Sequence, residues 1–149
     1  MGSLKLPTSG VVYADAQVGI YTVDRHPLYA TVCDPLWEGA QNGVFTVVSS
    51  ELTLLEVLVG PVRGGDPGLA ARRENLWRRP QTHFLPINES VLREAARLRA
   101  SIPGLKTPDA IHAATALLRH CDLFLTNDTG FRRVLGLPFI LLDDVIASP

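Results

Sequence analysis

Four carboxylates stand where chemistry could use them: Asp15, Glu56, Asp109 and Asp128. Asp15 follows the β-branched run Val11-Val12-Tyr13, and Asp128 closely follows Leu123-Phe124-Leu125-Thr126. Asp109 falls in the first turn of a helix opened by Thr107-Pro108, and Glu56 sits between Leu55 and Val57 in an apolar stretch. An Asp after a strand is often a cap or turn former, and an acid in a first helical turn favours the helix dipole. A carboxylate inside an apolar stretch is harder to explain, because it needs a cation, a hydrogen-bond donor or a proton. Several unpaired carboxylates in one pocket repel and raise one another's pKa values unless a divalent cation binds. Oxygen-only ligands suit Mg²⁺, with Mn²⁺ also acceptable, and a water on such an ion can attack a phosphodiester.

The elements that must position these acids read as α/β. Strand runs at Val11–Tyr13 and Val44–Val48 flank a helix that begins at His26-Pro27, which makes a βαβ unit with a right-handed crossover. Val18–Asp24 supplies one or two further helical turns. Ser49-Ser50 can cap a helix over Glu51–Val59. Glu51 and Glu56 lie about 140° apart around it, so both cannot face one site, and Glu51 in the first turn suits the dipole. Gly60–Gly68 reads as a loop, Leu69–Arg79 as a basic helix, His83–Ile87 as a third strand and Val91–Ala100 as another helix. Thr107 is expected to cap the Ala-rich helix that carries Asp109. A short helix begins at Phe131, and Pro138–Leu142 is the last strand. In a parallel sheet, strand carboxyl ends and the following helix amino ends share one edge. Asp15, Asp109 and Asp128 can therefore converge there, with Glu56 reaching in from its helix.

The 149 residues suit one domain, 1–149, with 1–10 as a loosely ordered extension. A hydrophobic content of 46% disfavours disorder. No apolar run has the roughly 18 residues of a membrane span, and no signal-peptide core precedes the first strand. Cys33 and Cys121 lack metal-type spacing and suit a reducing cytoplasm. The net charge of −1 hides an asymmetry: Arg63–Lys106 holds nine Lys or Arg against four acids, and the remainder is acidic. A cation site beside a polyanion grip has that character. Arg72, Arg73, Arg132 and Arg133 are the candidate nucleic-acid contacts, with a solvated helix face as the competing account. His112 reads as a packed polar residue, and Tyr13 and Tyr21 as core.

The blocks Val-Tyr-Ala-Asp15, Ser-Glu-Leu-Thr-Leu-Leu-Glu56, Thr-Pro-Asp109-Ala-Ile-His-Ala-Ala and Leu-Thr-Asn-Asp128-Thr-Gly-Phe resemble the PIN-domain ribonucleases, in particular VapC-type toxins of toxin–antitoxin pairs. The resemblance runs from about Val11 to Leu142. It implies a three-layer sandwich around a parallel sheet of about five strands in the order 3-2-1-4-5. It also implies a Mg²⁺ (or Mn²⁺) site on Asp15, Glu56, Asp109 and Asp128, supported by Thr126 and Asn127. The implied activity is endoribonuclease cleavage of RNA, leaving 5′-phosphate and 3′-hydroxyl ends. A homodimer and a small antitoxin whose tail covers the acidic pocket are the implied partners. Ala16-Gln17 departs from the family, which usually has Thr or Ser and then Asn or a small residue. That departure supports the alternative of a catalytically weak or inactive PIN-like module that binds RNA or protein. A Rossmann-like phosphate enzyme is disfavoured, since neither Gly-x-Gly-x-x-Gly nor Gly-x-x-x-x-Gly-Lys-Ser/Thr occurs.

Overall fold

Strand runs with apolar side chains at nearly every position have two faces to bury, and each face needs its own helical layer. The computed structural model describes residues 2–149. Its strands are β1 (Val11–Ala14), β2 (Thr46–Ser50), β3 (Thr82–Leu85), β4 (Leu123–Thr126) and β5 (Phe139–Leu141). They form one parallel sheet in the order β3-β2-β1-β4-β5, the expected topology. Alternate side chains divide between two cores. Val12, Ala14, Val47, Leu123 and Leu125 enter one, against Val18, Leu36 and Trp77 of α1 (Ala16–Val23), α2 (Ala30–Gln41) and α4 (Pro67–Trp77). Tyr13, Val48 and Phe124 enter the other, against α5 (Glu89–Ser101) and α6 (Thr107–Leu118). The molecule is helix layer, sheet, helix layer.

Position along the sheet decides where a site can form. The chain leaves β1 for β2 on one side and returns through β4 on the other. The switch between β1 and β4 opens a crevice beyond their carboxyl ends. Ala14 pairs with Leu125, and the Asp15 N–H donates to the Leu125 carbonyl at 3.1 Å. Asp15 follows β1 directly and Asp128 lies two residues past β4, so both acids arrive at the crevice.

Several local expectations shift. β2 begins at Thr46 rather than Val44, because pairing starts where the Thr46 N–H meets the Gly10 carbonyl, while Phe45 packs under Gly39. The helix expected from His26-Pro27 begins at Ala30, after a turn in which the Leu28 N–H donates to His26 Nδ1. Thr107 is inside α6 and accepts a hydrogen bond from Arg99 Nη1, so the cap position falls to Lys106 without a side-chain bond. The last strand ends at Leu141, and a short helix, α5 and α6 being earlier in the chain, follows as α7 (Leu142–Ala147). Met1 of the expected extension lies outside the described residues. Over 2–10 there is no helix or strand, yet Leu4 and Leu6 pack on the first core and the Gly2 N–H donates to the Val145 carbonyl.

One correction changes a functional assignment. The expected loop at Gly60 is instead helix, because α3 (Leu52–Arg63) runs on through Gly60 and Pro61. Proline has no N–H, so the Val57 carbonyl one turn earlier loses its helical partner. Arg73 Nη1 takes that place at 3.1 Å, while Nε and Nη2 hold the Asp24 carboxylate at 3.2 and 2.6 Å. Its side chain is only 12% exposed. Arg73 therefore ties α4 to α3 and to the end of α1, and is not free to grip a nucleic acid. Arg73→Ala should cost about 1–3 kcal/mol, since a half-buried carbonyl and a carboxylate both lose their donor. The check is the urea unfolding midpoint, and an unchanged midpoint would show the tie to be dispensable.

Candidate active site

The four acids come from four different elements and line one cleft of about 610 Å³. Asp15 caps α1: Oδ1 accepts the Gln17 and Val18 N–H groups at 3.1 and 3.3 Å. Its Oδ2 accepts the Thr126 hydroxyl at 2.5 Å. Burial pushes the Asp15 carboxyl up to about 6, against the pull of the Thr126 hydroxyl and of His112. The same Thr126 oxygen accepts the Asp128 N–H at 3.0 Å, so one buried hydroxyl joins the two strand ends. Asp128 caps the 3₁₀ turn Thr129–Arg133 through the Gly130 N–H at 2.8 Å. Asp109, in the first turn of α6, has its carboxyl raised by burial and by the neighbouring Asp128. A Cβ on Gly130 would lie 3.1 Å from Asp128 Oδ1 and 3.8 Å from Asp109 Oδ2. The absence of a side chain there lets these two acids crowd one place.

Glu56 enters from α3 and meets His112 of α6, Oε1 to Nε2 at 2.5 Å. His112 Nδ1 in turn meets the Tyr13 hydroxyl at 2.5 Å. His112 and Tyr13 are buried, as the sequence reading has them, but their polar ends join in a chain that reaches Glu56, and His112 lines the cleft. The signal for this was Asp109-x-x-His112, since residues three apart share a helix face. Tyr21, read as core, is half-buried and lines the cleft beside Asn127. Glu51 is elsewhere, its Oε1 accepting the Ile87 N–H. The candidate arginines do not line the cleft. Arg72 borders a separate hollow near the far end of α1. Arg132 pairs with Asp144 at 3.2 Å and Arg133 donates to the Pro103 carbonyl, because the 3₁₀ turn buries Phe131 and sends the next two side chains outward.

Among the described residues, no Lys or Arg forms a salt bridge with Asp15, Glu56, Asp109 or Asp128. Nor, among them, does any group of three or more His, Cys, Asp or Glu side chains close on a point as a metal cage. The donor chemistry fits a hard divalent cation, since crowded, unpaired carboxylates are what such an ion relieves.

The comparisons bear on the same residues. VapBC2 from Rickettsia felis, crystallised with a DNA fragment from its promoter, shares the fold with a TM-score of 0.70 at 14% identity, over 88% of this chain and 98% of that one. A toxin–antitoxin complex from Klebsiella pneumoniae gives 0.66 at 20% identity, over 88% and 97%. VapBC-5 from Mycobacterium tuberculosis, of the VapBC family of toxin–antitoxin systems, gives 0.55 at 23%, over 91% and 98%. At such identities the likeness is one of fold. Comparison with curated proteins finds no match. The family model of the PIN domain spans residues 12–137, taking in all four acids, the two strand ends that carry Asp15 and Asp128, and the Thr126 hydroxyl between them; the chain belongs to the PIN domain family.

Proposed function

We propose that this cleft is the active site of a metal-dependent endoribonuclease, the toxin of a toxin–antitoxin pair. The observation that carries the reading is four carboxylates sharing one cleft with, among the described residues, no Lys or Arg paired to any of them. Asp15, Glu56, Asp109 and Asp128 would hold Mg²⁺, or Mn²⁺ in its place. When bound, the cation supplies charge to offset the acids and Lewis acidity to activate water and stabilise a leaving oxygen. The chain's own residues do the rest. Thr126 and the amino end of α1 fix Asp15 so that its carboxylate cannot swing out of the crevice. Gln17, Asn127 and Thr129 line the cleft and offer side-chain donors to phosphate and sugar oxygens. Leu55, Val59 and Ile20 border it with apolar surface, which strengthens electrostatic contacts inside.

The solved toxin–antitoxin complexes of the same fold support a small antitoxin as partner, and a homodimer and a cytoplasmic location belong to the same reading. Among the described residues no helix is long and apolar enough to cross a membrane. Ala16 brings no hydroxyl to the cleft, and the hydroxyl that bonds Asp15 directly is that of Thr126. The deciding experiment incubates the purified chain with single-stranded RNA in Mg²⁺ or Mn²⁺ and in EDTA. Cleavage that needs the cation, with a cation-dependent rise in melting temperature, is the expected result. Intact RNA and an unmoved melting temperature would mark a binding module instead.

A further inference from the structure

Glu56 has the longest side chain of the four acids, no backbone N–H holds it as one does Asp15 and Asp128, and one contact fixes it. We propose that His112, itself held by Tyr13, is a positioning residue that orients the Glu56 carboxylate toward the cleft. The inference rests on the reading of the cleft as a cation site for its functional meaning, but the orientation itself is read from the hydrogen bonds alone.

The bond directions follow from what each atom can offer. The Ser50 N–H donates to the Tyr13 hydroxyl oxygen at 3.0 Å, so that oxygen is already an acceptor. Tyr13 is fully buried, and burial together with the nearby Asp15 and Glu56 charges keeps its phenol protonated. The phenol keeps a proton to donate, and His112 Nδ1 lies 2.5 Å from it, the shortest contact that the hydroxyl makes. With Nδ1 accepting, the ring carries its hydrogen on Nε2, and Nε2 donates to Glu56 Oε1 at 2.5 Å. The reverse tautomer would set a bare ring nitrogen against a carboxylate oxygen, two acceptors with no proton between them. The polarity of the chain is thus set from the β2 backbone outward: Ser50, Tyr13, His112, Glu56.

Packing makes the relay stiff. Tyr13 lies flat on Phe124, ring centroids 4.8 Å apart and planes 5° apart, and meets the His112 ring edge-on. The His112 side chain is 4% exposed while Glu56 is 31% exposed, so the rigid partner is inside and the held carboxylate faces the cleft. Only Oε1 is engaged, which leaves Oε2 for a ligand. Helix α6 then does two jobs one turn apart, bringing Asp109 directly and aiming Glu56 through His112.

The test combines a tautomer measurement with a double-mutant cycle on cation affinity. Long-range ¹H–¹⁵N correlation NMR of the metal-free chain should find His112 protonated at Nε2; protonation at Nδ1 alone overturns the proposal. Mn²⁺ binding to the metal-free protein, followed by the EPR signal of free Mn²⁺, should weaken about 10–100-fold in His112→Ala, the usual effect of losing a residue that orients a ligand. His112→Gln keeps an N–H near the Nε2 position and should recover most of that loss. In a Glu56→Ala background, His112→Ala should change Mn²⁺ affinity no further. Equal loss in both backgrounds would mean that His112 acts on the fold at large. Tyr13→Phe should lower affinity in the same direction with the ring still buried, which keeps the proposal testable if His112→Ala does not fold. If the wild-type chain binds no Mn²⁺, the cation reading fails, and the tautomer in wild type against Glu56→Ala alone decides whether His112 holds Glu56.

Discussion

A chain carrying Asp15→Asn together with Asp128→Asn is expected to lose cation-dependent RNA cleavage by about a thousandfold or more while keeping its fold. A thousandfold is roughly 4 kcal/mol of transition-state stabilisation, and removing two of the four negative charges from one cleft is enough to supply it. The fold should survive because both acids also work as caps. Asp15 accepts the Gln17 and Val18 N–H groups and Asp128 accepts that of Gly130, and Asn caps as well as Asp. Only the charge and the bond to Thr126 change, so the comparison isolates electrostatics. Gel-based cleavage of single-stranded RNA in Mg²⁺, beside circular dichroism of the same samples, gives the answer. Cleavage that persists in the folded double variant would remove the acids from the reaction.

The parts of this site legible in the sequence are those fixed by local rules. Asp15 and Asp128 end apolar strands, and strand ends in a parallel sheet share an edge, so their meeting followed from pattern alone. Glu56 was distinguished from Glu51 by its apolar neighbours, and the structure places Glu51 away from the cleft, bonded to Ile87. What the sequence hid depends on contacts between distant segments. Nothing near Arg73 says that Pro61 frees a carbonyl sixteen residues earlier in the chain for it to fill. Nothing near His112 says that the hydroxyl of a tyrosine 99 residues away will lie against its Nδ1. Arginine position was a poor guide for a similar reason: Arg132 and Arg133 follow Asp128, but the burial of Phe131 turns them away. Periodicity locates elements, whereas the choice of partner for a long polar side chain is made by packing.

The burial of a carboxylate in the cleft should make the metal-free protein less stable as pH rises. Asp15 has its carboxyl raised from 3.8 to about 6, chiefly by burial. The folded chain therefore holds this proton more tightly than the unfolded chain between about pH 4 and pH 6. Wherever the folded state binds more protons, stability falls with increasing pH. The penalty is absent below about 4, grows through the window, and is complete above about 6. Two units correspond to about 3 kcal/mol at most, and Asp109, raised by burial and by Asp128, acts in the same direction. Asp15→Asn removes the titrating group, while every other titrating group stays in place in both chains. The difference in urea midpoint between wild type and Asp15→Asn should thus widen in favour of the variant from pH 4.5 to pH 7. A divalent cation at pH 7 should raise the wild-type midpoint and leave the variant's nearly unmoved, because an ion that binds only the folded chain offsets the charge that Asp15 carries there. A wild-type chain as stable at pH 7 as at pH 4.5, relative to Asp15→Asn, would mean that the buried carboxylate is already compensated within the protein, and the case for a cation in the cleft would lose its electrostatic basis.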